Sequence, residues 1–253
     1  MPTRQLVLPA LCATGALALL PAAAPAAIGV RAAPSCVKPG AITTITAQYG
    51  PVGPTQQTRQ QARTIIVPNV YAASGTSGGL RPANAVTFPF APVTYAPSAT
   101  FPGGFDPSFT QQVQLPAATS YGKLPVLSYD TRVEAFDAAG TTSYGFDGRT
   151  TTIEVDVPRV IPTSTRVRQG ESVSVLAVGY GALRKGYLHV VGSNGKRLRR
   201  VEVPSSPAGS CGRRLVFVSF KGARRGSYRI VLNTSPTSRS AAGGASTTVR
   251  VTR

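Results

Sequence analysis

Tryptophan is absent from this chain of 253 residues, histidine and methionine each occur once, and only nine side chains are acidic. Each shortage closes a route. A Ser-His-Asp/Glu or Cys-His nucleophile needs an imidazole oriented by a carboxylate. The one histidine, His189, lies in a β-patterned run, and the chain from 159 onward holds only two acids, Glu171 and Glu202. One histidine and the two cysteines that lie beyond residue 27, Cys36 and Cys211, do not make a usual zinc set. Charged residues are 14% and aromatics 7%, whereas Gly (26) and Pro (22) are plentiful. That composition suits short strands joined by turns, not long helices.

The remaining acids do little to suggest catalysis. Asp106, Asp130, Glu134, Asp137 and Asp147 formally permit a carboxylate pair for glycoside hydrolysis. Asp130 and Glu134 fall on the polar face of a strand, while Asp106-Pro107 and Asp147-Gly148 are turn chemistry. No calcium-loop spacing joins Asp137 to Asp147. Gly103-Gly104 and Gly243-Gly244 are loops and not phosphate cradles. No catalytic residue, metal ligand set or cofactor is expected.

Residues 1–27 carry the marks of a secretory signal: Arg4, an apolar stretch over 6–20, and Ala24-Pro25-Ala26 as a small-residue cleavage site. Cys12 lies inside it behind Leu11, which is not a lipidation context. No later stretch approaches the ~18 apolar residues of a membrane-spanning helix, so the mature chain is expected to be secreted, without a transmembrane segment. It keeps Cys36 and Cys211. Secretion permits a bridge between them; two separate thiols are the alternative.

Regular structure is densest over 170–232. Ser172 to Val178 alternates and then turns apolar, and Gly179-Tyr180-Gly181 closes that run. Asn194-Gly195 between two β-patterned runs signals a two-residue type I′ hairpin. Its register sets Leu188 against Val201, Val190 against Arg199, His189 against Arg200 and Tyr187 against Glu202. The His189–Arg200 face, two cations opposed, is expected to be wet. Leu215-Val216-Phe217-Val218 is apolar throughout and reads as a central strand. Residues 164–168 and 246–253 bring the strands from 163 onward to about seven, the number an immunoglobulin-like sandwich needs.

The earlier half is less regular. Ile45 centres a plausible first strand, and Gln-rich and Pro/Gly-rich segments follow, including a long loop over 74–79. Pro82, Pro89, Pro92, Pro97, Pro102 and Pro107 break the middle into short pieces. Regular alternation returns at 128–136, with Tyr129, Thr131, Val133 and Ala135 on one face. The turn Asp137 to Gly140 follows, and 150–157 is the closing strand. Within this segment Tyr129-x-x-Arg132-Val133-x-Ala135-x-Asp137-x-Ala139-Gly140 resembles the penultimate strand of fibronectin type III-like domains. Tyr187-x-His189, Gly195-Lys196 and Cys211-Gly212 resemble immunoglobulin-like modules of secreted bacterial proteins. The resemblance implies two tandem β-sandwiches, 36–158 and 163–253 with a stiff linker at 159–162, used for binding, spacing or adhesion.

Charge separates the halves. Residues 36–158 hold seven bases and seven acids; 159–253 hold eighteen bases and two acids, a net of +16. Arg197, Arg199, Arg200, Arg213, Arg214, Arg224 and Arg225 cluster in sequence around the later turns. Such a surface attracts polyanions, so an anionic cell-surface polymer or polysaccharide is the expected partner. Nothing in the sequence marks a dedicated nucleic-acid module. A structural spacer, a protein-binding module acting through the 74–79 loop, and a weak hydrolase are the rival readings. Asn233-Thr234-Ser235 fits a glycosylation triplet.

Overall fold

The computed structural model describes residues 27–70, 82–121, 124–146, 150–181, 183–238 and 245–253. Most of the expected signal with Cys12, the 74–79 loop, Asp147-Gly148 and Gly243-Gly244 lie outside them. The fold is all-β, with 59% strand and 3% helix, as composition implied.

Among the described residues the N-terminal half supplies eleven strands: β1 (Ala27–Ala33), β2 (Cys36–Val37), β3 (Ile42–Tyr49), β4 (Gln61–Val70), β5 (Val86–Thr87), β6 (Ala91–Pro97), β7 (Phe105–Gln114), β8 (Ser120–Tyr121), β9 (Leu124–Phe136), β10 (Ser143–Phe146) and β11 (Thr151–Val155). Their main path runs β1-β3-β7-β6-β4-β9-β11-β2. β1 and β2 are neighbours in the chain yet occupy opposite ends of that order. The sheet therefore curls into a near-barrel, with Pro34 and Ser35 bridging its seam. Ile45, Ile66, Phe109, Val113, Tyr129, Val133 and Ile153 fill the interior.

Two long strands here escaped the sequence reading. β4 and β7 contain Pro68 and Pro107, and each runs ten residues. A proline forfeits one ladder donor, about 1 kcal/mol. Burying Ile66 alone contributes about 1.5–3 kcal/mol. The alternation Ala62, Thr64, Ile66 therefore outweighs the break. Pro68 falls just before a register shift at Asn69/Val70, where pairing is already disturbed.

The C-terminal half supplies β12 (Arg159–Pro162), β13 (Arg166–Arg168), β14 (Ser172–Val178), β15 (Gly186–Gly192), β16 (Arg197–Val203), β17 (Arg213–Ser219), β18 (Gly226–Asn233) and β19 (Ser246–Thr252). They form two sheets, β12-β14-β17 and β13-β19-β18-β15-β16. One core lies between them, built from Val173, Val175, Val218 and Phe220 on one side and Leu188, Val190, Ile230 and Val249 on the other. Residues 159–162, read as a linker, are β12, antiparallel to β14.

β17 is not central. It ends the three-stranded sheet, with Leu215 and Phe217 exposed; apolar character on both faces signalled an uncovered strand here, not a doubly buried one. The hairpin also differs in detail. The Gly192 amide donates to the Lys196 carbonyl and the Gly195 amide to the Gly192 carbonyl, both at 3.0 Å, and Gly195 has φ +73°. This is a three-residue loop ending in a left-handed glycine, not a type I′ turn. A bulge between Val190/Val191 and Arg197/Arg199 absorbs the offset, so Leu188–Val201, His189–Arg200 and Val190–Arg199 pair as expected.

The halves meet at the seam. Cys36 and Cys211 are joined by a disulfide with Cα atoms 5.1 Å apart. The Cys211 amide donates to Glu154 Oε2 (2.6 Å) and Ser35 Oγ donates to the Gly209 carbonyl (2.8 Å). Beside them Leu127 of β9 packs on Leu176, Val178 and Ile161. Gly179 (φ +74°) admits the 157–158 crossing, since a Cβ there would lie 2.6 Å from the Pro158 nitrogen. The bridge closes a sequence separation of 175. Replacing Cys36 and Cys211 together by Ser is expected to cost about 2–5 kcal/mol, seen as a lower urea midpoint. An unchanged midpoint would show that packing around Leu127 fixes the junction alone.

Candidate anion-binding groove at the distal end

Strand register gathers a set of cations at the end of the C-terminal half away from the seam. Gly192 pairs with Tyr228 and Gly226 with Val251. The β15–β16 loop and the 221–225 turn therefore lie side by side. Tyr228 holds the second turn in place: its hydroxyl accepts from the Arg224 amide (2.9 Å) and donates to the Arg224 carbonyl (3.0 Å). The ring stands edge-on to buried Phe220, centroids 5.8 Å apart. The resulting cavity of about 360 Å³ is lined by Lys196, Arg197, Leu198, Arg224, Arg225 and Tyr228, with glycines, serines and Asn194 between them. A second recess of about 350 Å³ shares Gly192, Ser193, Ser227 and Tyr228 with it and adds Arg229. No acid lines either one. The four cations of the first cavity are exposed, so they remain hydrated and reachable by a large ligand.

Three of the seven sequence-chosen arginines, Arg197, Arg224 and Arg225, thus come together. The other four do not. Arg200 stands over the Tyr187 ring at 5.6 Å and donates, like Arg197, to the Pro236 carbonyl. Arg199 pairs with Val190 within the ladder. Arg213 and Arg214 lie toward the seam, two and three residues after Cys211, where Arg214 donates to the Ser205 carbonyl. Lys196 and Tyr228 were missed. Lys196 follows Asn194-Gly195 directly, so its presence at the loop mouth was legible; the role of Tyr228 depends on a turn closed by its own hydroxyl.

His189 is the clearest correction. It is 0% exposed, with Nε2 3.2 Å from the Ser235 carbonyl. The 234–237 segment covers the face expected to be wet, and Arg197 and Arg200 anchor that cover through Pro236. Asn233 of the glycosylation triplet is buried and its Oδ1 accepts from the Ser235 amide.

Two of the candidate carboxylates, Glu134 and Asp130, hold neighbouring strands together. Glu134 takes the Arg63 guanidinium at 2.8 Å and the Ser143 hydroxyl at 2.9 Å, and Asp130 accepts from Thr152 Oγ1 at 3.2 Å. Among the described residues, the ligand atoms of Cys36, Asp156 and Cys211 lie within 4.8 Å of one another. The disulfide removes both thiolates that a metal would need. No protein-family model matches the chain, and no curated protein matches its sequence.

Asp137 closes the turn after β9. It accepts from the Thr141 amide (2.9 Å) and the Thr141 hydroxyl (3.1 Å). The Thr141 amide, with Thr142 beside it, brings the carboxyl down to about 2. A folded pKa below the unfolded value of ~3.9 adds stability that is full above pH ~4 and lost as pH falls toward 2. Asp137→Asn is therefore expected to flatten the acid limb of a stability-versus-pH curve between about pH 4 and 2, measured by thermal melts. A limb of unchanged slope would mean the turn is as stable with the carboxyl protonated.

Proposed function

We propose that this is a secreted, non-catalytic binding protein of two tandem β-sandwich-type domains, the first curled into a near-barrel, whose distal groove takes an anionic surface polymer. The observation that carries the reading is the convergence of Lys196, Arg197, Arg224 and Arg225 on one acid-free cavity. The strand order of the C-terminal half supports an immunoglobulin-like sandwich. Its first segment splits, β12 running antiparallel to β14 in one sheet and β13 parallel to the last strand in the other. The fibronectin type III-like reading of the first half rests on the 129–140 motif and on β9 as its longest strand. Secretion is supported by the N-terminal signal pattern and by the disulfide, a bond that persists in oxidising compartments.

Exposure selects a polymer over a small ion. A solvent-facing ion pair contributes only about 0.2–1 kcal/mol, so four separate contacts to a small anion bind weakly. A chain with repeated charges engages all of them and the neighbouring Arg229 at once. The test is retention of the mature protein on polyphosphate, heparin and polygalacturonate columns as salt is raised, where charge-driven binding must weaken. Changing Arg197, Arg224 and Arg225 together to Ser is expected to lower affinity about three- to a hundredfold, from three lost contacts of about 0.2–1 kcal/mol each. Changing Arg184, Arg213 and Arg214 to Ser removes equal charge outside the groove and is expected to leave most retention intact. Equal losses in the two variants would assign the binding to net charge, and the chain would then act as a spacer or protein-binding module.

A further inference from the structure

β17 leaves one long side of its sheet without a neighbouring strand among the described residues. Its outward side chains, Leu215 and Phe217, are 56% and 72% exposed. Strand edges are ordinarily guarded by a central charge, a proline or a bulge. The middle of β17, Leu215-Val216-Phe217-Val218, has no charge or proline, and its pairing with β14 runs without a shift from Ser172–Ser219 to Val178–Arg213. The apolar surface is also continuous with a contact already made. Leu215 lies opposite Leu176, and Leu176 lies opposite Ile161; Leu127 covers these last two and leaves Leu215 open.

We propose that β17 pairs antiparallel with β17 of a second copy about a twofold axis through Val216. The sequence of the strand selects this occupant and this register. Directly opposed residues share a face of the sheet, so the axis must pass through a residue and not between two. Centred on Val216, Leu215 meets Phe217 of the second copy twice over, and Arg213 meets Ser219. Centred on Leu215, the Arg214 side chains approach to two positions, about 7 Å at ~3.3 Å per residue. Centred on Phe217, Arg213 meets Lys221 and Leu215 meets Ser219, opposing like charges and uncovering a leucine. Only the Val216 register pairs apolar with apolar and keeps the Arg214 residues about 13 Å apart, beyond the ~8–10 Å screening length at physiological salt. The strand is complementary to itself, and the three-stranded sheet continues from one copy into the next. This inference is independent of the distal groove.

The experiment is sedimentation velocity of the secreted protein across the micromolar range, beside Leu215→Lys/Phe217→Lys. Wild type is expected at twice the monomer mass and the variant at monomer mass, with the same β-sheet circular dichroism because both side chains face solvent in the single chain. A second arm fixes the register: oxidising a mixture of Leu215→Cys and Phe217→Cys proteins is expected to cross-link several-fold faster than oxidising either alone. A wild type that stays monomeric overturns the proposal, including one that gains mass only with an unrelated protein. A dimer that survives the lysine pair overturns it too, and cross-linking no faster in the mixture overturns the register.

Discussion

The seam of the N-terminal sheet is the constraint on which the rest is hung. A curled sheet whose first two strands lie at its opposite ends must close through a short connection, and Pro34-Ser35 is that connection. Cys36 follows at once, in a parallel pair with β11 that sets it against Glu154. The sulfur therefore sits where backbone freedom is already gone. Its partner Cys211 is held in turn, its amide bonded to the Glu154 carboxylate and its carbonyl taking the Gly181 amide. One carboxylate thus serves both halves, and the disulfide joins two sites each ordered by its own sheet.

That arrangement separates the chemistry along the molecule. Around the seam, charge is engaged: Arg159 donates to the Thr119 carbonyl, Arg214 to Ser205, and Glu154 is committed to Cys211. At the far end, the cations of the 192–198 loop and the 221–225 turn face solvent around Tyr228 with no acid among them. Exposed cations gathered with no acid among them attract a charged ligand over long range.

The readable part of the sequence was the part governed by short-range patterns. Alternation gave the faces of β9 and β14, and the Asn194-Gly195 pair placed the hairpin. The register came out right only because a bulge near Leu198 offset the longer loop, something no local rule could supply. β7 was hidden because Pro107 was weighed as a breaker, and β4 because its segment was read as Gln-rich and Pro/Gly-rich, whereas long-range burial of Phe109 and Ile66 decided the outcome. His189 was judged by the residue opposite it, Arg200, while its environment is set by a segment more than forty residues later. The groove was half legible: arginine-rich turns were evident, and which of them meet depended on sheet order. β17 was misplaced because an apolar run looks alike at a sheet centre and at an unprotected edge.

The disulfide has a further consequence for proteolysis. It ties position 36 to position 211 and so encloses almost all of the N-terminal half, together with β12 to β16, within one covalent ring. A protease that cuts once inside that ring detaches nothing: the two fragments remain one molecule until a reductant opens the bridge. Cleavage after Cys211 meets no such restraint, and the last two strands, with Tyr228 and one wall of the groove, can be cut away while the remainder stays linked. Degradation would remove the Arg224–Arg225 wall of the groove before the scaffold.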